Sequence, residues 1–156
     1  MTHLTPPAQA VFDSLLGQWT LSRTISGYGA FHGTAHFRPL QPGVLHYRED
    51  GELQSTTGSR TPAYREYFYV LRDDHLRICF TDTPPDSPTG GRVLHDLLPT
   101  RTGPGPWPVS ATAVHHCGHD IYTGHYDFHS PDQTHVTITV TGPAKDYTIH
   151  STYRRP

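Results

Sequence analysis

The sequence predicts an all-β fold: a closed antiparallel meander barrel of about nine or ten short strands, with one short N-terminal helix. Three observations predict it. Apolar and polar residues alternate along most of the chain, which is the period of a half-buried strand. Turn residues punctuate those runs at short intervals, and 15 Pro and 14 Gly leave little room for long helices. A length of 156 residues suits a single domain, 1–156, with one core.

The helix comes first. Thr5-Pro6-Pro7 places proline in a first turn, Ala8 to Leu16 carries the helical run, and Gly17 stops it. Beyond it Trp19, Leu21 and Ile25 alternate with Thr20, Ser22 and Thr24, a strand pattern. The alternation returns in Gly33 to Phe37, Leu45 to Leu53, Tyr64 to Leu71, His75 to Phe80 and Val93 to Leu98. It continues in Ala111 to Cys117, Asp120 to Phe128, Val136 to Val140 and Tyr147 to Tyr153. Gly27-Tyr28-Gly29, Gln41-Pro42-Gly43, Asp73-Asp74, Ser130-Pro131-Asp132 and Gly142-Pro143 supply the turns. Connectors this short favour pairing of consecutive strands, and closing the meander removes its edges.

Two stretches interrupt the rhythm, Asp82 to Arg92 and Pro99 to Ser110, both rich in Pro and Gly. Long loops in a compact fold often act as lids. Trp107, held among prolines, either folds over a barrel mouth or caps the edge of the core.

Composition removes several function classes. The formal charge is -2, with no basic surplus and only short clusters such as Arg154-Arg155, so nucleic acid is not an expected partner. No apolar run approaches the length of about 18 residues that a membrane helix needs, and Met1 to Ala10 lacks the pattern of a signal peptide, so no membrane partner and a cytoplasmic location are expected. Cys79 and Cys117 fall on different predicted strands and are read as free thiols. The chain is histidine-rich, with 13 His against 12 Lys and Arg, so its net charge depends strongly on pH below neutrality.

Assigning the more apolar parity of each strand to the interior brings polar residues with it. Arg23 accompanies Trp19, Leu21 and Ile25. Glu49 accompanies Leu45, Tyr47 and Leu53, and His95 accompanies Val93 and Leu97. The Tyr64 to Leu71 run is ambiguous, because Tyr67, Tyr69 and Leu71 share a face with Arg65 while Tyr64, Glu66, Phe68 and Val70 share the other. With Arg65 and Tyr67 inward, a guanidinium fork and a hydroxyl can hold a carboxylate or another oxyanion; the alternative is that Arg65 pairs internally with Glu49 or Asp120.

The densest cluster of chemistry runs from His115 to Phe128. His115 and Cys117 share one face of a strand, and Asp120, Tyr122, Tyr126 and Phe128 share one face of the next. His95, His115 and Cys117 are the candidates for a metal, but a zinc site needs four ligands at recognisable spacing, and none is expected. His115 or His95 as base, with Asp120 as its orienter, is the acid–base alternative. His116, His125, His129, His135 and His150 fall mostly on the outward parity. There is no nucleophile motif, phosphate loop or dinucleotide fingerprint.

Taken together, several segments resemble an uncharacterised lipocalin-like domain family. They are Leu15-Leu16-Gly17-Gln18-Trp19-x-Leu21-x-Arg23, Phe31-x-Gly33-x-Ala35-x-Phe37, Tyr47-x-Glu49-x-Gly51, Arg65-x-Tyr67, His95-Asp96-Leu97, His115-x-Cys117-x-x-Asp120-x-Tyr122 and Gly142-Pro143-x-Lys145-Asp146-Tyr147, spanning Leu15 to Arg154. The resemblance implies a calycin barrel of the lipocalin and fatty-acid-binding type with no established activity, so no catalytic residue is carried over. It also implies that a late basic residue, Lys145 or Arg154, packs over Trp19 of the Gly17-x-Trp19 strand. A weaker resemblance is to nitrobindin-type haem barrels, which take a histidine near the C-terminus. Here His150 is the late candidate, and its parity opposes that of Tyr147, Ile149 and Tyr153, so no haem is expected.

The leading expectation is a small-molecule-binding barrel for a compact ligand with an apolar body and an anionic or hydrogen-bonding head. Its candidate ligand-binding residues are Arg23, Glu49, Arg65, Tyr67, His95, His115, Asp120, Tyr122 and Tyr126. The alternatives are an isomerase- or lyase-type enzyme using His115, His95 and Asp120, a haem- or metal-binding barrel, and a packed structural or interaction domain.

Overall fold

A computed structural model describes residues 4–85 and 92–156. The helix α1 spans Pro7–Leu15 and buries Ala8, Val11 and Leu15 on one side. Eleven strands follow: β1 Gly17–Ile25, β2 Gly29–Gln41, β3 Val44–Ser55, β4 Arg60–Arg72, β5 His75–Cys79, β6 Val93–Leu97, β7 Thr100–Arg101, β8 Val109–Cys117, β9 Asp120–Ser130, β10 Gln133–Thr141 and β11 Asp146–Arg154. Ten of these were legible as alternating runs. The addition is β7, whose two residues are too few to show a period.

All strands pair antiparallel in one sheet of order β6-β5-β4-β3-β2-β1-β11-β10-β9-β8-β7, so β1 meets β11 and the meander curls round on itself. The curl brings β6 up against β8. Among the described residues no backbone ladder joins these two strands, and side chains close the seam. His95 of β6 is the central one, only 1% exposed. Its Nε2 lies 3.1 Å from the Tyr122 carbonyl and its Nδ1 lies 2.7 Å from the Tyr126 hydroxyl, both on β9. A carbonyl only accepts, so Nε2 carries the proton and Nδ1 accepts from the phenol. Burial lowers the His95 pKa and favours this neutral ring.

The seam depends on Gly124. A Cβ there would sit 2.5 Å from His95 Cε1 and 2.8 Å from Nδ1. Gly124→Ala is therefore expected to drive the imidazole off both partners, at a cost of about 1–3 kcal/mol. Denaturant unfolding with hydrogen exchange at the β6 amides checks it, and β6 protection equal to that of the parent protein would refute the clasp.

One end of the barrel is shut. α1 lies across it, with Val11 and Leu15 packed in the main core against Trp19, Phe37, Leu45, Leu76 and Phe128. Trp19 Nε1 donates to the Leu15 carbonyl at 2.8 Å, and the guanidinium of Arg155 lies 3.9 Å from the centroid of the Trp19 ring. The cation expected from Lys145 or Arg154 is thus Arg155. Ser151 and Tyr153 point inward, so Arg155 keeps their parity while Arg154 points out. Trp107 packs on the same core, half-buried, and so caps its edge. Arg101 ties the β7 segment to the chain before α1 through the Thr5 carbonyl.

Register at β5–β6 corrects one inward assignment. Ile78 pairs with His95 and Cys79 with Val93, skipping Leu94. The bulge sends Leu94 inward to the main core and turns Val93 outward, where it packs with Val44, Val70 and Cys79 in a second cluster. Both cysteines are free, Cys79 buried and Cys117 exposed. Among the described residues no helix is long and apolar enough to cross a membrane.

Candidate functional site

The ambiguous run resolves with Arg65, Tyr67 and Tyr69 inward, since Tyr64 is 64% exposed while Tyr67 and Tyr69 pack on the core. Register then assembles a polar centre. Glu49 on β3 stands opposite Arg65 on β4, Tyr47 opposite Tyr67, and Arg23 on β1 opposite Ser151 on β11. The strand between β1 and β3 presents Gly33 and Ala35 beside Leu21 and Trp19, residues small enough for Arg23 to reach across β2 to Glu49.

The Arg23–Glu49 contact is a two-pronged ion pair, Nη1 to Oε2 at 2.5 Å and Nη2 to Oε1 at 3.0 Å, with both side chains almost fully buried. Arg23 Nε also donates to Ser151 Oγ at 2.8 Å. The Tyr47 hydroxyl donates to Glu49 Oε1 at 2.6 Å and lies 2.9 Å from the hydroxyl of Tyr153. A second guanidinium shares the same carboxylate, Arg65 Nε lying 3.3 Å from Glu49 Oε2. Its Nη1 lies 3.4 Å from the Tyr67 hydroxyl. Burial opposes ionisation of Glu49, but the hydrogen bond from Arg23 and the charge of Arg65, with Tyr47 behind them, hold its carboxyl below the ordinary value. Two guanidiniums against one carboxylate leave one positive charge over, and it sits on Arg65, whose side chain remains 38% exposed.

Arg65 marks the boundary between a filled interior and an open mouth. Beneath it the space bounded by Tyr47, Tyr67, Tyr69, Tyr126 and Tyr153 measures about 30 Å³, and a further hollow beside Trp19 and Phe37 about 20 Å³. These hold about one or two water molecules. Above Arg65 a throat of about 160 Å³ is walled by Ile25, Phe31, Leu53 and Ile149. Ile25, Leu53 and Ile149 continue into an outer hollow of about 620 Å³ between Tyr28 and the Ala144–Tyr147 turn.

The His115–Phe128 constellation divides: His115, Asp120 and Tyr122 lie toward the mouth, while Tyr126 and Phe128 lie in the filled core toward α1. The His115 ring stands 6.1 Å from Tyr122 and 6.0 Å from Phe80. Asp120 is not its orienter. The ladder sets His115 opposite Tyr122 and Cys117 opposite Asp120, and the Asp120 carboxylate instead takes Lys145 Nζ at 3.0 Å. The same ammonium donates to the Tyr122 hydroxyl at 3.1 Å. His95 is no free base either, since both its nitrogens are spent on the seam. His95, His115 and Cys117 do not converge, because Cys117 stands at an exposed strand end. Among the described residues no group of three or more His, Cys, Asp or Glu is placed to hold a metal. His150 points outward toward Thr137, away from any axial position.

Of the long loops, residues 86–91 of the first lie outside the described residues. Its base is pinned at the mouth end, where Arg92 stacks 4.5 Å over Phe80 and bonds Asp82 at 3.1 Å. Sequence reasoning missed Ile149, Leu53 and Ile25 as mouth residues, because apolar inward side chains look alike at every depth of a barrel. It also missed that Lys145 belongs to Asp120, a pairing only the β10–β11 turn creates.

A family model described as a family of unknown function (DUF6314) matches residues 15–155. No curated protein matches the sequence. Among solved structures, the chain is similar to the S-type phycobiliprotein lyase CPES from Guillardia theta, with TM-score 0.64, 10% identity, and 95% of this chain and 92% of that one covered. It is also similar to Rv2717c from M. tuberculosis, with TM-score 0.54, 11% identity and 99% of each chain covered. A third similar structure is EF1p2_mFAP2b bound to DFHBI, with TM-score 0.50, 15% identity, and 97% and 100% covered. At these identities the likeness is one of fold, an antiparallel β-barrel.

Proposed function

The chain belongs to the family of unknown function DUF6314, and from its own geometry we propose that it is a small-molecule-binding barrel whose ligand enters the open mouth and sets an anionic group on Arg65 beside Tyr67. The observation that carries this reading is the uncompensated guanidinium: Glu49 is already satisfied by Arg23 and Tyr47, and the charge left on Arg65 faces the throat. Of its five N–H groups, one meets Glu49 and one Tyr67, leaving a planar set of donors for an oxyanion. Arg23 and Glu49 hold that fork from behind. Ile25, Leu53 and Ile149 offer apolar surface to the body of the ligand, and His115, Tyr122 and the Asp120–Lys145 pair line the rim. His95 and Tyr126 serve the site by keeping the wall shut. Support by analogy is modest: one similar barrel is bound to DFHBI and another is named a phycobiliprotein lyase. Two free thiols, one of them exposed, fit a reducing compartment such as the cytoplasm.

The test uses 1-anilinonaphthalene-8-sulfonate, an apolar body with one anionic group, followed by its fluorescence. Arg65→Ala leaves the buried Arg23–Glu49 pair in place and removes a charge-assisted contact of about 1.5–3 kcal/mol, so affinity is expected to fall roughly 10- to 100-fold. Unchanged affinity in a folded variant rejects the site.

A further inference from the structure

We infer that the ligand binds head-in and tail-out: it is an apolar monocarboxylate whose far end leaves the barrel through the mouth, so that it can remain joined to something larger. The inference rests on the reading of Arg65 as the anchor and adds orientation, charge and reach.

Orientation follows from where space exists. Below Arg65 the hollow of about 30 Å³ admits water and no organic group, so the barrel cannot swallow a chain past its own anchor. On the other side the throat of about 160 Å³ shares Ile25, Leu53 and Ile149 with the outer hollow of about 620 Å³. A ligand with its head on Arg65 therefore extends outward, and its apolar body lies on those three side chains.

Charge sets the class. Arg23, Arg65 and Glu49 sum to one positive charge at the head position. The cation at the outer hollow, Lys145, is already matched by Asp120 at 3.0 Å. One anchor and, among the described residues, no second free cation along the throat select a single negative charge at one end. A carboxylate fits a guanidinium edge, because both its oxygens can accept in the plane of the fork.

Reach follows from the outer end. The hollow lies between Tyr28, which is half exposed, and the Ala144–Tyr147 turn. With about 620 Å³ between them, these flanks leave room for a bulky substituent on the tail.

The experiment is displacement of 1-anilinonaphthalene-8-sulfonate by undecanoate, its methyl ester and 11-(dansylamino)undecanoate, on the full chain and on Arg65→Ala. Undecanoate and the dansyl-bearing acid are expected to bind within about threefold of each other, with the ester at least tenfold weaker. Arg65→Ala should lower both acids to the level of the ester. A dansyl-bearing acid more than tenfold weaker than undecanoate means an enclosed ligand and overturns the orientation. An ester as tight as the acid overturns the head, and a dye that binds and responds to Arg65→Ala but is displaced by neither acid overturns the ligand class. In each of these cases the anionic anchor itself survives. If dye binding is indifferent to Arg65→Ala, the anchor reading fails and this inference fails with it.

Discussion

Glu49→Gln is expected to destabilise the protein by about 3–5 kcal/mol, because it strands the buried Arg23 guanidinium without its counter-charge. For a chain of this length that corresponds to a fall of roughly 6–20 °C in Tm. The amide can accept only one of the two bonds now received from Arg23, and it brings its own donors toward a cation and the Tyr47 hydroxyl. Arg65 suffers less, being partly open to water. Removing both charges, as Arg23→Met with Glu49→Leu, is expected to cost less than Glu49→Gln alone, since neither desolvated ion remains.

The pH dependence has a definite sign. The folded Glu49 pKa lies below its unfolded value, so its contribution is complete above the unfolded carboxylate range near 4.3 and is lost as pH falls through the folded value. The acid limb of the parent protein should therefore be shallower in Glu49→Gln. Equal stabilities at pH 7, measured by urea unfolding, would show that the carboxylate holds nothing together.

Trp19→Ala is expected to cost about as much, roughly 3–5 kcal/mol, for a different reason. The indole is 1% exposed and forms the floor between α1 and the sheet. Deleting it leaves a cavity, removes the donor to the Leu15 carbonyl, and takes the aromatic face from under Arg155. Arg155 in turn donates to the Ser14, Leu16 and Gln18 carbonyls, so it caps the end of α1 only while it is held in place. Trp19→Phe, which keeps most of the ring and loses the N–H, should cost far less, about 1–2 kcal/mol. Hydrogen exchange separates the two components: in Trp19→Ala the α1 amides should exchange well before the sheet. Loss of protection spread evenly over all strands would mean that the helix is not a separately held lid on the closed end.

Much of this is legible in the sequence. The inward parity of Trp19, Leu21 and Arg23, and of Leu45, Tyr47 and Glu49, follows from strand period alone, and these residues form the core and the polar centre. Turn chemistry placed the hairpins, with Gly27 and Gly43 at positive φ where the chain reverses. The alternative that Arg65 pairs with Glu49 is present in the structure, yet so is the spare charge that made Arg65 a candidate anchor.

Period and turns are local properties, carried by neighbours in the chain, and so the sequence alone determined the antiparallel meander, its N-terminal helix and the inward parity of Arg23 and Glu49, while the parity of Arg65 waited for the fold. Depth along the barrel, the seam and the ownership of each charge are long-range. Only tertiary register decided that Lys145 belongs to Asp120 and not to Trp19, that His95 bonds Tyr122 and Tyr126 across the seam, and that a bulge at Leu94 turns Val93 outward. Pairing distant strands sets which of several chemically equivalent partners meet. The mouth is likewise a product of closure: Ile25, Leu53 and Ile149 become one apolar throat above Arg65 because β1 and β3 end, and β11 begins, at the side that α1 leaves open.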